Sequence, residues 1–273
     1  MAPQNDRKAK IAAAAPKNSG SANKIVVAGI VAIVAVIAVV AAVIFQQVSA
    51  NNKVEEAKNV AQVDRVPEGT KDGEGWVSNS DVNLANGAPT IDVYEDFRCP
   101  VCAVFERALG HELETLAADG KIKLVYHLKT VIDTNTNSDN SAVSASSALC
   151  AADQGAWTKY HEELFARQPQ EPNPFTDDAL TEAAKGAGLE GEKLDAWQKC
   201  TNERTYVKYV QSVDEASFKA GVRGTPAIKV NGTELNWGTF VNQDGSANEA
   251  QLPVFEQIVT SGDVPADRVA PKR

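Results

Sequence analysis

Cys99-Pro100-Val101-Cys102 is the stretch of this chain whose residue types and spacing are best suited to chemistry. Two thiols one helical turn apart can close a small disulfide, pass it to an outside thiolate and re-form it. The preceding segment, Pro89-Thr-Ile-Asp-Val-Tyr-Glu-Asp, sets β-branched and aromatic residues in near alternation and reads as a strand. Beyond the pair, Phe105, Leu109, Leu113 and Leu116 recur at helical spacing, which predicts a helix to about Ala118 closed by Gly120. Cys99 therefore falls at a helix N-terminus. Unpaired N–H groups and the helix dipole favour an anion there, so its thiolate belongs in the range of roughly 3.5–7.5 seen at such sites.

Cys102 lies one turn further in and is expected to be more buried. Cys99 is then the sulfur that attacks or is attacked, and Cys102 resolves the mixed disulfide. Pro100 in the first turn costs no backbone hydrogen bond. A zinc site would need two more ligands at short spacing, but Cys150 and Cys200 are distant and His111, His127 and His161 are scattered. The pair reads as redox-active, with no metal or cofactor expected. The histidines read as packing or surface residues.

Lys121–Leu128 is the next predicted strand, so the pair sits in a β–α–β unit with parallel strands. Residues 141–220 are predicted helical. Trp157, Tyr160, His161, Leu164 and Phe165 form one stripe; Leu194, Trp197, Arg204, Val207 and Val210 suggest another. Pro169, Pro172 and Pro174 mark a loop between them. Ala227–Val230, Asn231-Gly232 and Thr233–Leu235 read as a hairpin, and Leu252–Val259 as a closing helix. Asn231-Gly232-Thr233 also matches a glycosylation sequon, but the hairpin explains it better. Gly224-Thr225-Pro226 stands directly before the hairpin, where a proline can open a strand without breaking its ladder.

The composition of the 273 residues, 43% hydrophobic and 23% charged, is that of a globular protein, and a net charge of -9 argues against nucleic-acid binding. Four cysteines are too few for a cysteine-stapled miniprotein. The charge is uneven. Arg7, Lys8, Lys10, Lys17 and Lys24 precede Ile25–Phe45, a run of 21 residues with no polar side chain. As a helix that run would span roughly 31 Å, the thickness of a bilayer core. It predicts a single transmembrane anchor with a cytoplasmic N-terminus and the body outside. The rival is a signal peptide cleaved after Val48-Ser49-Ala50; either way the body enters an oxidising compartment. The predicted organisation is a disordered head 1–24, an anchor 25–45, a stalk 46–80, a folded domain 81–263 and a tail 264–273.

Asp96-Phe97-Arg98-Cys99-Pro100-Val101-Cys102, followed by Gly224-Thr225-Pro226 and a hairpin, resembles the thioredoxin superfamily. More narrowly, roughly residues 80–262 resemble the DsbA-like disulfide oxidoreductases, including membrane-anchored ones of actinobacterial cell envelopes. The resemblance implies an α/β thioredoxin fold with a helical insertion at about 141–220, preceded here by the transmembrane helix. It implies a cis Thr225–Pro226 peptide facing the cysteines. Cys99, Cys102 and Pro226 would then be catalytic, and Pro100, Val101 and Thr225 would meet the substrate. Cys150 and Cys200 either pair with each other or stay free. Relatives often carry a second bridge, so a structural disulfide is expected, with a second redox pair as the alternative.

Three positions depart from the best-known members of that family. Val101 replaces a histidine that can donate to the thiolate. Val93 stands where many relatives carry an acid, leaving Asp92, Glu95 or Asp96 as substitutes. Thr225 also occurs in reductase and isomerase branches. The expected activity is insertion of disulfides into unfolded exported proteins with free thiols, by a monomer reoxidised by a membrane partner of the vitamin K epoxide reductase-like kind. The alternatives are an envelope reductase or isomerase using the same site, and a thioredoxin-fold binding module whose disulfides are purely structural.

Overall fold

The computed structural model describes residues 64–170 and 173–271. Trp76–Val77 (β1), Thr90–Glu95 (β2), Lys123–Leu128 (β3), Ala227–Val230 (β4) and Thr233–Glu234 (β5) form one sheet in the order β1-β3-β2-β4-β5. The strand before the cysteine pair forms as β2 and runs parallel to β3, as the β–α–β spacing predicts. β4 is antiparallel to β2, with Ala227 opposite Tyr94. That register brings the residues just before Ala227 to the end of β2 where the cysteines begin.

The helix expected after the pair is divided. Pro100–Phe105 (α1) leads into a π turn, Glu106–Gly110, and then into His111–Ala118 (α2). Phe105, Leu109, Leu113 and Leu116 are all buried on its inner side. Gly120 follows with a φ of +69°, and a Cβ there would come within 2.5 Å of the Asn83 carbonyl oxygen. The turn into β3 therefore requires glycine.

Six helices lie between β3 and β4: Val131–Thr136 (α3), Asn140–Ala152 (α4), Trp157–Ala166 (α5), Asp177–Gly186 (α6), Gly191–Asn202 (α7) and Val207–Lys219 (α8). The expected stripe from Leu194 to Val210 is split over α7 and α8, because Arg204 takes a left-handed φ of +53° between them. α4 is built of Ala and Ser, small residues that let α5, α7 and α8 pack against it. Ser147 finds partners on both sides: Trp197 Nε1 donates to its carbonyl (3.0 Å), and the Tyr160 hydroxyl to its Oγ (2.9 Å). A disulfide joins Cys150 of α4 to Cys200 of α7. Leu252–Ser261 (α9) closes the fold. At the hairpin, Asn231 and Gly232 have φ of +47° and +84°. The Asn231 side chain accepts from the Thr90 N–H (3.0 Å), so its amide is used in packing.

Two expected boundaries move. Residues 64–80, read as the end of a stalk, are part of the folded body. Arg65 pairs with Asp153, the Tyr209 hydroxyl donates to the Glu74 carbonyl (2.6 Å), and Trp76 packs on Trp157 with ring centroids 4.4 Å apart. Partial burial of Trp76 is the physical reason: its ring packs against the core at Trp157 while its backbone pairs with β3. The residues read as a tail also join the sheet, where the Asn236 N–H donates to Arg268 (2.7 Å) and the Ala270 N–H to Glu234 (2.9 Å). They cover an edge whose backbone groups would otherwise be unpaired. The head, the Ile25–Phe45 run, the Val48-Ser49-Ala50 site and most of the stalk lie outside the described residues. Among the described residues no helix is long and apolar enough to cross a membrane.

The Cys150–Cys200 bridge closes a loop of 50 residues. Its chain-entropy contribution is about 4 kcal/mol, and loss of such a bridge typically costs about 2–5 kcal/mol. The double variant Cys150→Ala/Cys200→Ala is expected to unfold at correspondingly lower denaturant while Cys99 retains its alkylation rate. An equal loss of Cys99 reactivity would show that the bridge shapes the site as well as the insertion.

Candidate active site

β2 ends at Glu95, and the turn into α1 is built by Asp96. The Asp96 carbonyl accepts from the Cys99 N–H (2.9 Å), and its carboxylate from the N–H groups of Arg98 (2.9 Å) and Ile132 (2.9 Å). Cys99 then occupies the N-cap of α1 and Pro100 its first turn. Gln168, just beyond α5, donates from Nε2 to the carbonyls of Phe97 (2.7 Å) and Cys99 (3.0 Å). Arg98 is buried and bonded to Asp133 (3.3 Å), whose carboxylate also accepts from the first N–H groups of α4, at Ser141 (2.8 Å) and Ala142 (3.0 Å). The cysteine turn is thus tied to the helical block by three residues, Ile132, Asp133 and Gln168.

Cys99 and Cys102 stand as unbonded thiols. Cys102 is 0% exposed and Cys99 7%, while Val101 between them is 49% exposed. The Thr225–Pro226 peptide is cis and lies against this turn, with Cys99 Sγ 3.6 Å from the Thr225 carbonyl oxygen. The β2–β4 register accounts for the meeting of segments 126 residues apart. Pro226 and Thr225, Pro100 and Val101 are all brought to Cys99. Cys150 and Cys200 stand apart in the insertion.

The two sulfurs differ electrostatically. The Cys99 thiol is lowered from its ordinary 9.0 to about 6, chiefly by a hydrogen bond from Cys102. Burial opposes this, while Thr225 and the backbone N–H groups of Cys102 and Val101 assist it. Thr225 Oγ1 is buried with no other partner among the described residues, so it is available to donate to the sulfur. Cys102 is pushed well above 9.0 by burial and by the adjacent Cys99. One thiol is ionised near neutral pH and the other keeps its proton. This is the division of labour that a nucleophile and a resolving thiol require.

Sequence reasoning gave no role to Gln168 or Arg98, and it offered Asp92, Glu95 and Asp96 only as substitutes for the acid that Val93 replaces. Asp96 is buried, and burial lifts its carboxyl to about 7 against the hydrogen bonds that lower it. Glu95 is 0% exposed and bonds to His161, which is itself buried (2.7 Å). Asp92 is a half-buried partner of His127 (2.8 Å). The available signal was Glu95-Asp96 at the inner end of a strand that runs into a cysteine pair, where charged residues are unexpected.

The family described as Thioredoxin matches residues 85–243. Among solved structures, a disulfide bond oxidoreductase (DsbG) of Mycobacterium tuberculosis in its reduced form is 29% identical, with a TM-score of 0.50 over 68% of this chain and 86% of that one. DsbA of the same organism, oxidised, is also 29% identical, with a TM-score of 0.50 over 68% and 91% of the two chains. MdbA of Actinomyces oris, a thiol-disulfide oxidoreductase, has the same fold at 20% identity, with a TM-score of 0.55 over 76% and 98%. Curated relatives named serine/threonine-protein kinase PknE, from Mycobacterium tuberculosis, are 26% identical over 147 residues. That match covers 51% of this chain and 26% of theirs, so the chain spans about a quarter of the length of the curated relatives it matches.

Iodoacetamide alkylation of Cys99 should follow its thiolate, with a rate midpoint near pH 6. Because the pKa is depressed on folding, the stabilisation it gives the reduced protein is present above the ordinary thiol value and is lost as pH falls through about 6. Thr225→Val removes a donor to an ionised sulfur and is expected to raise the midpoint by about one unit. An unchanged midpoint in that variant would remove Thr225 from the account.

Proposed function

The chain belongs to the thioredoxin family, matched over residues 85–243, and is a thiol–disulfide oxidoreductase of the DsbA-like kind; on that premise we propose that its Cys99–Cys102 pair gives disulfides to exported proteins outside the cytoplasmic membrane. A substrate thiolate attacks Cys99 Sγ of the oxidised pair, and Cys102 leaves and takes up a proton. A second substrate thiol, losing its proton, attacks the substrate sulfur of the mixed disulfide, and Cys99 leaves as thiolate. Two electrons pass to the enzyme and the substrate departs with its own disulfide. The observation that carries this direction is the depressed Cys99 pKa, about 6. A stable thiolate is a good leaving group from the mixed disulfide, and it stabilises the reduced enzyme relative to the oxidised one.

In this reading Pro226 and Thr225 present backbone to an extended substrate segment, and Pro100 and Val101 offer the apolar surface beside it. Ile25–Phe45 anchors the chain with residues 1–24 in the cytoplasm and the catalytic domain outside, near emerging chains. The enzyme works as a monomer, and the exchange reaction uses no cofactor beyond the Cys99–Cys102 pair. A membrane oxidase resembling vitamin K epoxide reductase takes the two electrons from the reduced pair. The same site run as a reductase is favoured by Val101, which has no donor for the thiolate.

Equilibration of the full chain in detergent against glutathione decides between them. A potential of roughly −120 to −180 mV is expected for a disulfide donor. A value near roughly −270 mV would mark a reductase, and one below roughly −300 mV a structural bridge.

A further inference from the structure

Glu95, Glu106 and His161 form a second cluster, one that the exchange reaction does not use. Glu95 ends β2, Glu106 opens the π turn and His161 lies on α5. His161 Nε2 is 2.7 Å from Glu95 Oε1, and Nδ1 is 3.8 Å from Glu106 Oε2. One potential ligand atom from each residue lies within 4.8 Å of the others. The side chains are 0%, 9% and 2% exposed for Glu95, Glu106 and His161. Two carboxylate oxygens, Glu95 Oε2 and Glu106 Oε1, are buried without a hydrogen-bond donor among the described residues.

Two buried carboxylates against one imidazole leave an excess of negative charge even when the ring is protonated. Glu114 adds to it at both carboxyls and Asp96 at Glu95. The carboxyl groups of Glu95 and Glu106 face each other closely enough for one proton to bridge them. A cation is the other way to neutralise them.

The local structure makes room for this arrangement. Glu106 is carried by a π turn, a feature that helices concentrate at functional sites. A Cβ on Gly110 would come within 2.0 Å of Glu106 Oε2, so glycine leaves the space that the carboxylate fills. A cleft of about 340 Å³, lined in part by Glu106, Gly110, Glu114, His161 and Phe165, connects the cluster with solvent.

We infer that Glu95, Glu106 and His161 bind one divalent first-row cation of the zinc class, with water from the cleft completing its coordination. Two carboxylate oxygens and an imidazole nitrogen are the borderline donor set that zinc accepts, three protein ligands and one open position. Ligands on bonds of about 2.1 Å stand at most about 4.2 Å apart, so the cluster tightens by a few tenths of an ångström on binding. The cation replaces the bridging proton and joins the sheet, the π turn and the insertion.

The test uses the full chain stripped with chelator and held with Cys99–Cys102 oxidised, so that those thiols cannot ligate. Calorimetric titration with zinc chloride is expected to give one equivalent bound, and a melting temperature raised by about 5–10 °C at a hundredfold excess over Kd. Glu106→Gln and His161→Asn should each weaken binding at least tenfold. X-ray absorption on the wild-type protein reads the site even where a variant fails to fold. A shell of N and O at about 2.0–2.1 Å is expected. No binding by wild type would mean that protons neutralise the cluster. A sulfur shell at about 2.3 Å, or equal binding by folded variants, would place the metal elsewhere. Each of these results overturns the inference.

Discussion

Holding a charge on a sulfur that is only 7% exposed is the constraint around which this domain is built. Burial alone would keep Cys99 protonated, and it does keep Cys102 protonated. Donors that converge on one atom reverse the sign at Cys99. They come from three places: the next thiol, the first N–H groups of α1, and Thr225. The first two are local and follow from the Cys-x-x-Cys spacing at a helix N-terminus. The third is not local. It depends on β4 lying antiparallel beside β2 in one register, because a slip of one residue would turn Thr225 away from the sulfur.

The insertion has a comparable role from the other side. Gln168 fixes the carbonyls of Phe97 and Cys99, and Arg98 joins the turn to Asp133, which in turn caps α4. These bonds hold the cysteine turn without contacting either sulfur. The six helices are thus more than a cover for the sheet; two of their termini set the geometry of the loop. The Cys150–Cys200 bridge stiffens the far part of the same helical block. The remainder of the block is held by the close approach that the Ala and Ser residues of α4 permit.

Local pattern and the parallel β2–β3 pairing were legible in the sequence, and the meeting of Thr225–Pro226 with the cysteines was legible only through family resemblance. The β2 alternation and the Phe105–Leu116 spacing are read directly, since each depends on neighbours within a few residues. The π turn was not readable: one extra residue leaves the hydrophobic sequence of a helix almost unchanged while rotating the turns beyond it. Trp76 was assigned to the edge of a stalk because the charged and glycine-rich stretch before it hides the fact that its ring packs on Trp157 at the edge of the core. Gln168 and Arg98 carried no signal at all, since a polar residue in a loop is ordinarily solvated. Glu95 and Asp96 did carry one, and their burial shows what it meant: a polar interior next to the thiols.

Val101 bears on how far a motif alone can set the chemistry. Its side chain is 49% exposed and has nothing to donate, so the middle dipeptide reaches the sulfur only through the Val101 backbone N–H and otherwise offers surface and the proline that begins α1. The Cys99 thiol is nevertheless lowered from its ordinary 9.0 to about 6. That lowering comes chiefly from the Cys102 thiol, and Thr225 adds the part that lies outside the motif, beside the backbone N–H groups at the head of α1. Two proteins with the same Cys-Pro-Val-Cys and a different residue before the proline of β4 would therefore differ in thiolate stability. The direction of electron flow is then a property of the β2–β4 register together with the cysteine motif.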